Sequence, residues 1–104
     1  MIKQKSYTII WDRIALDEFK DILDYLSKQS SQAPKIVRKG VFSRLRDIEK
    51  NPHIFEIDKL KDPLNEEFRA FVMYNLRITY QIKEIIKEIR ILRIRHTSRE
   101  PFGY

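Results

Sequence analysis

The sequence predicts an α+β domain ordered β-α-α-β-β-β: a short N-terminal strand, a two-helix hairpin, then a three-stranded antiparallel meander, with the helices packed on one sheet face. Three observations carry this expectation. Residues 68–72 and 76–82 alternate apolar and polar side chains, the period of a half-buried strand, with Tyr74-Asn75 between them as a turn. Residues 89–95 interleave isoleucines with arginines and suit a third strand. Upstream, two apolar stripes recur every three or four residues, as in helices laid on a core.

Residues 7–11 (YTIIW) are aromatic and β-branched and read as the first strand, with Asp12 next as a candidate helix N-cap. In the helix that follows, Ala15, Phe19, Ile22, Leu23 and Leu26 form an apolar stripe, and Asp17, Glu18, Lys20, Asp21 and Asp24 occupy the opposite side. Residues 27–32 (SKQSSQ) are a polar linker, and Pro34 fits the first turn of a second helix. There Val37, Val41, Leu45 and Ile48 make the apolar stripe. Asn51-Pro52 ends it, because proline has no N–H to donate and pushes its predecessor out of the α region. Residues 53–67 hold no sustained period and read as a connector, carrying Lys59 and Lys61 toward the sheet entrance. Ile82, Ile85, Ile86 and Ile89 also fall at helical spacing, but their β-branched side chains suit a pleated surface better than a helix.

A chain of 104 residues makes one domain, spanning 1–104, with room for a single modest core. It has no cysteine, which excludes a disulfide framework, thiolate chemistry and Cys-based metal sites. His53 and His96 lie far apart and make no zinc site by themselves, so neither a metal nor another cofactor is expected. With Gly40 and Gly103 the sole glycines there is no glycine-rich phosphate loop, and no nucleophile elbow occurs. No apolar run reaches membrane-spanning length and the first residues do not resemble a signal peptide, so a cytoplasmic protein without a membrane partner is expected. The net charge of +6 points to an anionic partner. From residue 68 onward eight basic residues (Arg69, Arg77, Lys83, Lys87, Arg90, Arg93, Arg95, Arg99) stand against three acidic ones (Glu84, Glu88, Glu100), which assigns five of those charges to the sheet.

Alternation puts Arg69, Phe71 and Met73 on one face of their strand, and Arg77, Thr79 and Gln81 on one face of the next. On the last strand it puts Ile91, Arg93 and Arg95 on one side, with Leu92, Ile94 and His96 on the other. If the arginine sides coincide, Arg69, Arg77, Arg93 and Arg95 converge on the face the helices leave open. Guanidinium forks match phosphate oxygens and stay charged. Ribonucleolytic attack by a 2′-hydroxyl needs such charge stabilisation together with a base and an acid. His96 titrates near neutrality, and Tyr104 or a lysine would complete the set. Against this stand two plainer readings: arginines on a sheet face are as often paired with acidic residues, and a histidine closing a strand is more often structural.

The element order, Lys59-Leu60-Lys61 ahead of the hairpin, FRAFV followed by LRITYQI, and a last strand running into RIRHTSREP together resemble the RelE/ParE superfamily, the toxins of bacterial type II toxin–antitoxin modules. The resemblance runs from YTIIW to REP. It implies a small basic toxin held inactive by a cognate antitoxin whose tail wraps it, often over its basic face. Two activities are implied. RelE-like members cleave messenger RNA in the ribosomal A site without a metal. For them the resemblance implies catalytic roles for Arg69, Arg77, His96, Arg99 and Tyr104; Lys59, Lys61, Arg93 and Arg95, basic residues beside or on the sheet, are the expected RNA- and phosphate-binding residues. A second basic residue expected two positions after Arg69 is Phe71 here. ParE-like members inhibit DNA gyrase without enzymatic action, and HTSREP resembles their His-x-x-Arg-acidic-Pro ending. The leading expectation is the RelE-like ribonuclease, with ribosome and message as partners; the gyrase inhibitor is the alternative.

Overall fold

In the computed structural model, which describes residues 7–99, the expected order of elements is present. Strand β1 (Thr8–Trp11) leads into helices α1 (Arg13–Ser27) and α2 (Ala33–Lys50) and a 3₁₀ turn (Pro52–Ile54). Strands β2 (Phe68–Met73), β3 (Leu76–Lys83) and β4 (Glu88–His96) follow, closed by a second 3₁₀ turn (Thr97–Arg99). The sheet runs β1-β4-β3-β2. The three later strands are antiparallel neighbours, and β1 lies parallel to β4, with Thr8 opposite Glu88 and Trp11 opposite Ile91. Local pattern identifies β1 as a strand but cannot name its partner, which is a matter of chain topology.

Both helical stripes turn inward. Ala15 and Phe19 of α1 and Val37, Val41, Leu45 and Ile48 of α2 are buried against one sheet face, which contributes Phe71, Leu76, Ile78, Tyr80, Ile82, Ile89, Ile91 and Ile94. Burying an isoleucine is worth about 1.5–3 kcal/mol, so this layer is the main source of stability. Trp11, Phe19 and Phe42 close one end, with ring centroids 5.6–6.4 Å apart. No helix among the described residues is long and apolar enough to cross a membrane.

Asp12 occupies the N-cap position of α1, with an extended backbone and a carbonyl that accepts the Leu16 N–H, but its side chain does not cap. It accepts a hydrogen bond from Arg90 at 2.9 Å instead, since a charge-assisted bond outcompetes a neutral amide. Tyr74 and Asn75 both adopt left-handed φ angles, 53° and 59°, as a two-residue type I′ turn requires. This sets Met73 opposite Leu76. Residues 84–87 make a turn rather than a helix, with Lys87 at φ 54°. The β3–β4 register breaks once: Thr79 faces Arg93 and Tyr80 faces Ile91, leaving Leu92 as the extra residue of a bulge.

The connector is more ordered than its sequence suggests. Ile57 bridges Arg69, the Asp58 N–H donates to the Phe68 carbonyl and the Ala70 N–H donates to the Glu56 carbonyl. Residues 56–58 thereby cover the outer edge of β2, which would otherwise present unpaired backbone groups.

Candidate functional site

Two local devices decide where the arginines point. Because the tight turn pairs Met73 with Leu76, Arg69 falls opposite Tyr80, and Tyr80 is buried on the helix side of the sheet. Arg77 falls opposite Val72 and Arg95, on the other side. The expected convergence of Arg69 with Arg77 is therefore corrected: a two-residue turn joins odd positions on β2 to even positions on β3. The Leu92 bulge makes the second correction. It shifts the phase of β4, so that Ile91 joins the core while Arg93 and Arg95 come to the side of Arg77.

The outer face thus carries Arg77, Arg90, Arg93 and Arg95, and every one has an acidic partner. Asp58, with no exposed surface, meets Arg77 at 2.5 Å and accepts the Thr79 hydroxyl at 2.9 Å. The same carboxylate accepts the N–H groups of Leu60 and Lys61, so one buried acid both folds the turn after it and neutralises the strand beside it. Glu18, on α1, takes two hydrogen bonds from Arg93 at 3.1 and 2.8 Å and lies 3.4 Å from Arg95. It also accepts the Ile94 N–H at 3.0 Å, an amide on the edge of β4 beyond the reach of β1. Burial alone would raise the Glu18 carboxyl, but the hydrogen bonds from Arg93 and Ile94 and the nearby guanidinium charges outweigh it and hold its pKa below the ordinary value. Arg90 bridges Asp12 and Glu88.

The remaining predicted site residues are dispersed. Arg69 donates to the backbone carbonyls of Glu66 and Phe55 at 2.9 and 3.1 Å, clamping the connector. Its neighbour Tyr80 donates its hydroxyl to the Pro52 carbonyl, and burial pushes that hydroxyl's pKa well up, so it stays protonated. Phe71 is a core residue stacked on Phe55 at 4.5 Å. His96 is exposed, and its Nδ1 accepts the Ser98 N–H across the closing turn. Lys59 is exposed, and Lys61 sits 4.9 Å from the Phe68 ring. The Arg99 side chain and Tyr104 lie outside the described residues.

Asp58 and Glu18 are the residues that pattern reading missed. A signal for them exists: strands rich in arginine rather than lysine call for planar, bidentate acidic partners. What the signal lacks is an address, because the two acids come from a connector and a helix far away in sequence.

A family model described as the ParE toxin of the type II toxin–antitoxin system parDE matches residues 9–101. The chain belongs to the ParE toxin family. This ParE-family chain is similar in structure to a chain of the chromosomal ParDE toxin–antitoxin system from P. aeruginosa: TM-score 0.69, 16% identity, 88% of this chain and 96% of that one covered. It is also similar to a chain of a RelBE toxin–antitoxin complex from Mycobacterium tuberculosis, with TM-score 0.56, 17% identity and 88% and 98% coverage. At such identities these likenesses speak for the fold. No curated protein sequence is similar enough to count as a relative.

Proposed function

We propose that this ParE-family toxin acts by binding DNA gyrase and not by cutting messenger RNA. The observation that carries this reading is the engagement of Arg77 by the fully buried Asp58. A phosphate seeking Arg77 would compete with a carboxylate that cannot move into solvent, and displacing it would leave a buried charge unpaired. Arg93 and Arg95 are held by Glu18, a partly buried carboxylate, and Arg69 is spent on backbone carbonyls on the opposite face. Among the described residues, no base and acid stand beside Arg77, Arg93 and Arg95: His96 is turned onto the Ser98 N–H, and the titratable cluster of His53, Glu84 and Tyr7 involves none of these arginines. The ParE match favours the same reading.

The inhibitory partner is a cognate antitoxin, in line with the toxin–antitoxin complexes to which the fold is similar. Two assays on the purified chain test the proposal. Gyrase supercoiling should be blocked while message on ribosomes with a programmed A-site codon stays intact. Cut message in the second assay, abolished by Arg77→Ala in a folded variant, would establish the ribonuclease instead.

A further inference from the structure

With the sheet arginines neutralised from within, the unbalanced positive charge lies elsewhere. It lies on α2. At 100° per residue, Lys35, Arg38, Lys39, Phe42 and Arg46 share one flank of this helix, beside the buried stripe of Val37, Val41 and Leu45. All four cations are exposed, and none has an acidic partner among the described residues. The acids of α2 are Asp47, which pairs with Arg44, and Glu49. Lys35, Arg38, Lys39 and Phe42 line a surface hollow of about 380 Å³.

We infer that this ridge contacts the phosphate backbone of duplex DNA. From Lys35 to Arg46 the ridge runs about 16 Å at 1.5 Å per residue. That matches roughly five phosphate steps of one B-form strand. A single strand is the poorer occupant, because it needs free aromatic faces for its bases. Phe42 is not free: it is set against Trp11 and Phe19, with the Arg38 guanidinium 5.6 Å from its ring centroid. An acidic protein segment would need apolar sockets between the charges, and the ridge offers one half-buried ring. The choice of DNA over duplex RNA rests on the gyrase reading, since that enzyme works on duplex DNA.

The test is fluorescence anisotropy of a labelled 20-base-pair DNA with the full chain, from about 50 to 200 mM salt. Parallel arms use duplex RNA of the same sequence, single-stranded DNA and poly-glutamate. Log K should fall against log[salt] with a slope of about −3 to −4, as expected for four phosphate contacts. The combined variant Lys35→Gln, Arg38→Gln, Lys39→Gln, Arg46→Gln should bind at least tenfold more weakly and flatten the slope by about three. A charge-matched variant, Arg13→Gln, Lys20→Gln, Lys28→Gln, Lys83→Gln, should lose less than threefold. Circular dichroism and Tm verify that both fold. Equal losses in the two variants, no saturable binding, or tighter binding of any other arm overturns the ridge. Supercoiling inhibition is scored separately: a chain that binds the duplex but spares gyrase sinks the gyrase reading, and one that blocks gyrase without binding the duplex sinks the ridge alone.

Discussion

Replacing Asp58 with alanine removes a carboxylate with no exposed surface that accepts from Leu60, Lys61, Thr79 and Arg77. Arg77, whose side chain is 16% exposed, then keeps its charge in a nearly dry place. Removing one partner of a buried pair costs about 3–5 kcal/mol. Arg77 retains some access to water, so the lower end, about 3 kcal/mol, is the expected loss. A domain of this length is stable by about 5–15 kcal/mol, so the effect is a large share of the whole. Urea unfolding followed by circular dichroism measures it. Arg77→Met should be costly for the mirror-image reason, a buried carboxylate left alone. The double variant Asp58→Ala/Arg77→Met should cost less than the two single losses added, by about 2 kcal/mol, because contacting residues couple. A loss under about 1 kcal/mol for Asp58→Ala, or strict additivity, would refute the internal neutralisation of Arg77 and reopen the ribonucleolytic reading.

Glu18→Gln should lower Tm at neutral pH and flatten its acid limb. The folded pKa of Glu18 lies below the unfolded value of about 4.3, so its contribution is present above that pH and fades as pH drops through the folded pKa; Tm from pH 7 to 3 checks this. Asn75→Val puts a β-branched residue at φ 59° and should destabilise by about 1–2 kcal/mol in thermal melts, since the left-handed region is closed to such side chains. A Cβ at Gly40 would come within 2.6 Å of the Tyr74 ring, so Gly40→Ala should gain little by itself. In a Tyr74→Ala background the same change should stabilise by about 1 kcal/mol, the helix preference of alanine over glycine, again read from Tm.

Element types were legible because they are written locally. The alternation in residues 68–82 and the stripes led by Phe19 and Val41 reappear as β2, β3 and the inner faces of α1 and α2. The candidate site was not legible, because its geometry hangs on register. One positive-φ pair at Tyr74-Asn75 and one extra residue at Leu92 decide which arginines are neighbours, and alternation alone cannot see either. The acids that silence those arginines lie up to 78 positions away, Asp12 against Arg90, so nothing nearby in the chain announces them. Asp12 misled in the opposite direction: its position is that of a cap, and the pull of Arg90 falls outside any local window.

The pairing of Thr8 with Glu88 also sets a timetable. The earliest strand to leave the ribosome waits for the latest one before it can join a sheet, and Glu18 waits with it for Arg93. Contacts of such long sequence separation form slowly and late. The complete surface of this ParE-family chain therefore forms only when residues from both ends of the described fold have come together, late in folding.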